Sequence, residues 1–387
     1  MNEFERILDE IWTDNIVEKD VACLWLLSGI LTLQKTKHTN ARYQFASQSS
    51  SSKSKATPSI SKDSATIDWV RFDTDAASIH SKFSNDSIVS GLYAKLHQIQ
   101  NSSNATEEHH IRDLYVTAIK LNQYNWSAWL ELSRLPMNES MDEQLKLMDL
   151  YPFYQIQQSM YWKSNLDDTL TKLESLNIRY PNWGYIRIKL GTILHDLRQF
   201  KKSSAVFQLH RSQHRYSISG MDIYSNCLYV NEQLTDLSDL AHFWMETNPN
   251  ASETNIIVGN YYSLKSDHEK AALFFKRATA VDPYNTNAWL LLGHELIELR
   301  NPSAALAAYK SAIANDTNDP RCWYSIGQLF ELINQHAFAV YYHNKALGMD
   351  PQDPRILRAL SSCYEKLGRP DEAAKCTKRI NDSVKGL

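Results

Sequence analysis

Two histidine–glutamate pairs, His268-Glu269 and His294-Glu295, have residue types and an order that could do chemistry. A zinc protease carries such a pair on a helix, with a second histidine four positions after the first. Both imidazoles then bind the metal, and the glutamate acts as the base. Neither pair in this sequence has a histidine at that position. The pairs therefore predict no zinc protease.

Other chemical motifs are also lacking in the sequence. It contains no glycine-rich phosphate loop ending in Lys-Ser/Thr, no Gly-x-Ser-x-Gly motif and no cysteine–histidine spacing typical of zinc. The cysteines are odd in number and have no CxxC spacing, which indicates reduced thiols in a cytosolic or nuclear protein. They are Cys23, Cys227, Cys322, Cys363 and Cys376. We predict no enzyme activity, no cofactor and no metal.

The composition limits the function classes that remain. The 387 residues include 41 Lys and Arg against 44 Asp and Glu, a formal charge of −3, which gives no basic field for nucleic acid. Hydrophobic residues make up 43% of the chain, enough for a buried core. The longest apolar run, residues 22–33, is shorter than the roughly 20 residues that a membrane span needs. We expect a soluble intracellular protein that binds neither nucleic acid nor a membrane.

The sequence repeats itself with a period of 34 residues. A step of 34 leads from Gly259 to Gly293 and Gly327, and a parallel series joins Ala271, Ala305 and Ala339. Six consecutive repeats begin at residues 184, 218, 252, 286, 320 and 354, and a weaker seventh covers 150–183. This period is typical of the tetratricopeptide repeat, a pair of antiparallel helices, A and B.

Each recurring residue has a local physical role in such a pair. A small residue at positions 8 and 20 of the repeat lets helix A approach helix B, and apolar residues at positions 4, 7, 11 and 24 fill the remaining gaps. A proline at position 32 ends helix B, because it lacks an N–H group. The helix pairs have apolar faces that they bury against their neighbours. The predicted fold is all-α, a right-handed tetratricopeptide superhelix (α-solenoid).

The chain before residue 150 is less regular. We predict N-terminal helices over 1–45, a disordered Ser/Lys-rich loop over 46–66 and irregular repeats over 67–149, followed by the repeat array 150–387. Residues 114–135 predict a helix B, a turn and a helix A with Trp129 at position 4. Residues 101–110, "NSSNATEEHH", are predicted to be a polar insertion.

A superhelix of this kind has a concave groove lined by its A helices at positions 2, 5, 9, 12 and 13. The residues at these positions include Asp222, Asn226, Tyr229, Asn260, His294, Glu298, Gln328 and Glu331, with Arg358 and Glu365 in the last repeat. Carboxylates, amides and aromatic side chains together suit an extended basic peptide, with amides holding its backbone and carboxylates receiving Arg or Lys.

The sequence resembles one family more closely than the general repeat. Segments such as "MDIYSNCLYV", "IIVGNYYSLKSDHEKAALFFKRATAVDP", "RCWYSIGQLFEL" and "SSCYEKLGRPDEAAKC" occur in order and with the spacing of the anaphase-promoting complex (cyclosome) subunit 8, or cell division cycle protein 23, family. The similarity extends from about Trp126 to the end and includes residues outside the repeat consensus, among them Ser263 and His268.

The resemblance implies a non-catalytic scaffold subunit of a ubiquitin ligase that promotes mitosis in the nucleus and cytoplasm. It implies association with other subunits of the complex, homodimerisation through N-terminal repeats, and capture of Arg-containing coactivator peptides in the groove. Asn226, Asn260 and Glu298 are the strongest candidates for that contact. Family members continue for further repeats, whereas this chain stops at Leu387, which suggests a truncated, fragmentary or divergent member.

Two other interpretations remain open at this stage. A tetratricopeptide co-chaperone or adaptor would bind a different peptide, typically an acidic C-terminus, and would need lysine at position 5 of a repeat. Ile256 and Leu291 occupy slots that such a clamp needs for polar residues. A repeat-bearing transferase would need a catalytic domain, and no segment of the chain is long enough and unassigned.

Overall fold

The computed structural model describes residues 69–100, 105–136, 143–351 and 353–385, together with Leu27 and Ile30. These residues form helices and no strands, which confirms the all-α class. None of the described helices is long and apolar enough to cross a membrane. The loop expected over 46–66 lies outside the described residues, as do the N-terminal helices apart from Leu27 and Ile30. The chain divides into two compact units, 1–175 and 176–387.

The first unit contains short helices around one aromatic core. Trp129, Tyr115 and Tyr154 are almost fully buried in this core, which includes alanine and leucine side chains from the neighbouring helices. The helices are α1 (Trp69–Lys82), α2 (Ser87–Gln100), α3 (Ala105–Leu121), α4 (Trp126–Leu132), α5 (Glu143–Lys146), α6 (Tyr151–Trp162) and α7 (Leu166–Arg179), the last of which crosses into the second unit.

Part of the predicted polar insertion is helical. Residues 105–110 form the first turns of α3. Glu108 lies in these turns, where the positive end of the helix dipole favours acidic side chains.

Trp129 occupies the place predicted for position 4 of a helix A. Its indole Nε1 donates to the carbonyl of Gln123, six residues earlier, at 2.9 Å. Trp289 and Trp323 make the same contact at 2.9 Å, with the carbonyls of residues 283 and 317. The first unit therefore contains one helix start built like those of the regular repeats.

The second unit consists of helix pairs in the predicted phase. Each B helix begins 34 residues after the one before it, from residue 200 to residue 370. The A helices are α8 (Gly184–Asp196), α10 (Met221–Val230), α12 (Ser252–Leu264), α14 (Thr286–Glu298), α16 (Pro320–Leu332) and α18 (Pro354–Lys366). The B helices are α9 (Phe200–Gln213), α11 (Leu234–Thr247), α13 (His268–Val281), α15 (Pro302–Asn315), α17 (His336–Met349) and α19 (Pro370–Lys385).

Positions 8 and 24 of each repeat are matched in size. Where position 8 is glycine, position 24 carries a ring that lies directly against it, as Phe207 does against Gly191. The same arrangement pairs Gly259 with Phe275, Gly293 with Tyr309 and Gly327 with His343. Where position 8 is Ser225 or Ser361, position 24 is Ala241 or Thr377. The close approach of helices A and B therefore depends on the combined size of the side chains at positions 8 and 24.

Two residues after the end of each helix A, at position 15 of the repeat, lies a residue with positive φ. The series is Arg198, Glu232, Ser266, Arg300, Asn334 and Gly368, with φ between 57° and 69°. This left-handed conformation reverses the chain into helix B. It costs a residue with a Cβ roughly 1–2 kcal/mol, which glycine avoids.

Replacing Arg300 by glycine is expected to raise the free energy of unfolding by about 0.5–1 kcal/mol. Relief of the left-handed strain outweighs the extra freedom that glycine gives the unfolded chain. Urea denaturation monitored by circular dichroism measures the change. The converse variant, Gly368→Ala, should lose about 1 kcal/mol. Equal stability of both variants and the parent chain would contradict the strain assigned to this position.

Candidate functional site

The A helices of neighbouring repeats contact one another side by side and form one continuous face. Helix α8 contacts α10, α10 contacts α12, α14 contacts α16, and α16 contacts α18. Side chains also join them. Nδ2 of Asn226 lies 2.8 Å from Nε2 of His195, and Nδ2 of Asn260 donates to Oγ of Ser225 at 2.8 Å. Polar contacts between neighbouring repeats thus join the A helices that form the predicted groove face.

The two asparagines have different degrees of access. Asn226 is half-buried. Asn260 is only 1% exposed, and its amide is engaged with Ser225. In this conformation Asn260 joins α10 to α12 and presents almost no surface to a ligand. The sequence had predicted a direct contact between Asn260 and a peptide in the groove.

Three acidic residues of the A-helix face have no opposite charge beside them. Among the described residues, no Lys, Arg or His nitrogen lies within salt-bridge distance of Asp222, Glu253 or Glu298. Burial raises the pKa of Asp222, and the carboxylate of Glu253 contributes to this rise. The ionised form of the enclosed Asp222 is therefore costly to the free protein, and a cation bound there would offset that cost.

The two arginines at position 2 of later repeats are paired. A carboxylate oxygen of Asp319 lies 2.6 Å from a guanidinium nitrogen of Arg321, and Asp353 makes the same contact with Arg355 at 2.6 Å. Each aspartate is also the N-cap of its helix, because it accepts from the arginine backbone N–H. These two positive charges of the groove are therefore neutralised within the chain.

Curvature of the second unit brings distant repeats within electrostatic range of one another. Burial raises the pKa of Asp353, and the guanidinium of Arg198, from the end of the first repeat, opposes that rise. Burial disfavours the charged form of Arg321. The carboxylate of Asp319 and, more weakly, that of Asp196 favour the charged form more strongly, so the pKa of Arg321 is raised. Asp196 and Arg198 thus lie close enough to Arg321 and Asp353 to interact with them electrostatically.

The sequence analysis did not select Asp196, Arg198 or Arg321 as groove residues. Asp196 and Arg321 occupy positions 13 and 2 of their repeats, which the rule for groove positions already includes. That rule could have found them. Arg198 lies in the turn between the helices, and only the curvature of the array brings it to the groove.

The remaining predicted groove residues are accessible but partly engaged. His294 is exposed, and its Nδ1 lies 2.9 Å from the hydroxyl of Tyr309. Surrounding protein and then Arg321 lower the pKa of His294, so the imidazole is neutral at neutral pH. Exposed Gln328 donates to Tyr324, and half-buried Tyr229 lies 3.5 Å from Ser263. Glu331 is half-buried and bonded to His343.

The two histidine–glutamate pairs meet in space without forming a catalytic site. Nδ1 of His268 lies 2.8 Å from Oε2 of Glu295, and Oγ of Ser263 donates to Oε1 of the same carboxylate at 2.7 Å. In a catalytic triad the histidine lies between the hydroxyl and the acid, so that it can accept the hydroxyl proton. Here the carboxylate lies between them. The contact joins α12, α13 and α14 and has a structural role.

Comparison with known proteins supports both the fold and the family resemblance. A family model described as "Tetratricopeptide repeat" matches residues 264–329. The chain of the "APC/C hetero-tetramer Cut9-Hcn1" crystal structure aligns with 82% of this chain and 65% of its own length, with a TM-score of 0.61 and 14% identity. That likeness establishes the tetratricopeptide fold alone.

Curated relatives carry the names expected from the sequence. "Anaphase-promoting complex subunit 8" of Arabidopsis thaliana is 33% identical over 190 residues, which is 49% of this chain and 33% of that protein. "Anaphase-promoting complex subunit CDC23" of Saccharomyces cerevisiae is 28% identical over 214 residues, 50% of this chain and 34% of that protein. "Cell division cycle protein 23 homolog" of Homo sapiens is 38% identical over 132 residues, 34% of this chain and 22% of that protein. The resemblance to the subunit 8 family is confirmed, over about a third of the length of the first two relatives.

Proposed function

We propose that this chain is a non-catalytic scaffold subunit of an anaphase-promoting complex and acts in ubiquitin-dependent progression through mitosis. The curated relatives are subunits of that complex by name. A stack of helix pairs supplies what a scaffold needs, a long surface on which neighbouring proteins dock. Nucleus and cytoplasm are the compartments in which such a subunit would work.

The groove of the second unit is proposed to bind an extended peptide that carries arginine or lysine. The observation that carries this proposal is the imbalance of charge on the A helices of the repeats that begin at residues 218, 252 and 286, whose groove positions carry acids and no lysine or arginine. Arg321 and Arg355 are paired with aspartates, whereas Asp222, Glu253 and Glu298 lack a cationic partner among the described residues. A cationic side chain that reaches these acids gains charge-assisted hydrogen bonds.

The same imbalance disfavours a co-chaperone clamp for acidic C-termini. Such a clamp presents free cations to a carboxylate, and here the acidic groups would repel it. The partners proposed for the groove are Arg-containing segments of coactivators and of neighbouring subunits of the complex. Asn226 would hold the peptide backbone, and Asp222 would receive its cation.

Homodimerisation through the first unit is the remaining part of the proposal. The family resemblance motivates it, because subunits of this kind pair through their N-terminal repeats. The first unit has its own buried core around Trp129 and Tyr115, so it can act as an independent docking module. Size-exclusion chromatography with light scattering would report twice the chain mass for a dimer and the chain mass for a monomer.

Co-purification tests the scaffold proposal. A tagged copy expressed in dividing cells of the source organism is expected to recover other anaphase-promoting complex subunits in mass spectrometry. A control with the tag alone should recover none. Recovery of chaperones, without any subunit of the complex, would contradict the proposal and favour the co-chaperone interpretation.

A further inference from the structure

A carboxylate, an imidazole and a thiol meet at the junction of the last two repeats. Their ligand atoms, a carboxylate oxygen of Glu331, a ring nitrogen of His343 and Sγ of Cys363, all lie within 4.8 Å of one another. We propose that Glu331, His343 and Cys363 form a zinc-binding site. The site shares Glu331 with the predicted groove face, and it does not rest on the proposed scaffold role.

The three residues come from three different helices. Glu331 lies at the end of α16, His343 in the middle of α17 and Cys363 in α18. His343 and Cys363 are fully buried, and the side chain of Glu331 is 23% exposed. A metal bound here would therefore join two consecutive repeats from inside, with the Glu331 side open to solvent as an entry path.

The donor set suits zinc. Zn²⁺ binds thiolate, imidazole and carboxylate at about 2.0–2.3 Å in a tetrahedral arrangement, and sites with three protein ligands leave a fourth position for water. Ligand atoms in such a site are spaced by roughly 3.3–3.8 Å. The present spacing, up to 4.8 Å, is wider than that geometry, so the three side chains must close on a bound metal.

Packing alone does not account for the histidine. In the other repeats with glycine at position 8, position 24 is Phe207, Phe275 or Tyr309, and each ring fills the gap over that glycine. His343 occupies the same gap over Gly327 and is 0% exposed. Phenylalanine would fill the space without burying polar nitrogen atoms, one of which, Nδ1, is buried without a hydrogen-bond partner among the described residues.

Without metal, protons hold the three groups together. A carboxylate can only accept, so Nε2 of His343 carries the proton in its bond to Oε1 of Glu331. A thiol has an ordinary pKa of about 8.5, so the buried Cys363 carries its proton at neutral pH. Two protons therefore occupy the space in which a cation could lie.

The exchange of these protons for Zn²⁺ is balanced. Cys363 loses its thiol proton to solvent as the Zn–S bond forms. The imidazole proton moves from Nε2 to Nδ1, so His343 stays neutral and Nε2 becomes a ligand. One proton is released for each zinc bound, and the thiolate and carboxylate together neutralise the metal charge.

Cobalt titration of the full chain tests the site. The reduced protein, freed of metal with a chelator, is titrated with Co²⁺ and then with Zn²⁺. We expect a thiolate-to-cobalt charge-transfer absorption that saturates at one Co²⁺ per chain and disappears when Zn²⁺ displaces it. Calorimetry in buffers of different ionisation enthalpy should report one proton released per Zn²⁺.

Variants identify the ligands. His343→Phe restores the aromatic ring found in other repeats, so it should keep the stability of the metal-free chain. It should lower Zn²⁺ affinity at least 100-fold, because even the loss of a residue that only hydrogen-bonds to a metal ligand lowers the affinity by up to about that factor. Cys363→Ser should abolish the charge-transfer band. Cys227→Ser, a buried cysteine in a different repeat, should leave both unchanged.

Two results would overturn the proposal. One is the absence of a charge-transfer band in the parent chain at any Co²⁺ concentration up to saturation of surface sites. The other is metal binding whose affinity is the same in the parent chain, His343→Phe and Cys363→Ser. Either result would leave the three residues as a hydrogen-bonded network that holds the two repeats together.

Discussion

Replacing Gly259 by serine is expected to lower the free energy of unfolding by about 3 kcal/mol, even though two other repeats carry serine at the same position. A Cβ on Gly259 would lie 2.5 Å from Cε1 and 2.7 Å from Cδ1 of Phe275, where real Cβ atoms essentially never lie. Phe275 is fully buried, so its ring cannot move aside without displacing α12 from α13.

The cost depends on the residue at position 24. Ser225 faces Ala241 and Ser361 faces Thr377, so the space that a serine needs is free in those repeats. Phe275→Ala alone should cost about 3–5 kcal/mol through the cavity that it leaves. Gly259→Ser combined with Phe275→Ala should lose about 2 kcal/mol less than the sum of the two single changes, because the serine enters that cavity.

Urea denaturation of the parent chain, the two single variants and the double variant measures this coupling. Gly348→Ser is the matched control, since nothing lies within 4 Å of a Cβ at this exposed helical glycine. It should be neutral or slightly stabilising, because serine has the better helix propensity. Additive losses in the double variant would show that size matching between positions 8 and 24 does not set the approach of the two helices.

The repeat phase was predictable because it arises from local constraints. The size limit at Gly259 and Gly293 acts within one repeat and recurs every 34 residues. From this recurrence the sequence predicts an A helix that begins at residue 252 and another at 286, as observed. The start expected at 218 is shifted to Met221, after the left-handed Gly220.

Contacts between repeats were not predictable from the period. The groove rule placed Asn260 on the accessible face, but Ser225 of the preceding repeat covers it through a hydrogen bond. Glu331, His343 and Cys363 have no recognisable metal-site spacing in the sequence, because three helices of two repeats supply them. Such juxtapositions depend on how each pair rotates against the next, which a single repeat does not encode.

Replacing Asp222 by asparagine is expected to weaken binding of an Arg-containing coactivator peptide about 30-fold. Asp222 is enclosed by protein on the groove face and has no cationic partner among the described residues. Loss of a charge from a desolvated pair costs about 2 kcal/mol or more, and 1.4 kcal/mol corresponds to a tenfold change in Kd. Fluorescence anisotropy of a labelled peptide measures the affinity, with the same peptide carrying alanine for arginine as the reference.

The pH dependence of binding distinguishes a direct ion pair from a change in packing. Burial raises the pKa of Asp222 in the free protein, so part of the carboxyl is protonated at acidic pH. A bound guanidinium favours the ionised form, and binding therefore releases a proton in that range. The affinity of the parent chain should rise with pH through the pKa of Asp222 and then level off, whereas Asp222→Asn should remove this rise.

Glu298 provides a graded comparison within the same groove. It is exposed at the end of α14, where water and salt screen its charge, so Glu298→Gln should change the affinity by no more than about fivefold. The raised pKa of Asp222 means that the folded state disfavours its ionised form, so Asp222→Asn should fold at least as stably as the parent chain. A pH-independent parent affinity, or equal losses at Asp222 and Glu298, would contradict a cation seated on Asp222. An enclosed acid and an exposed acid on one groove face should therefore differ in binding because the protein excludes water from only one of them.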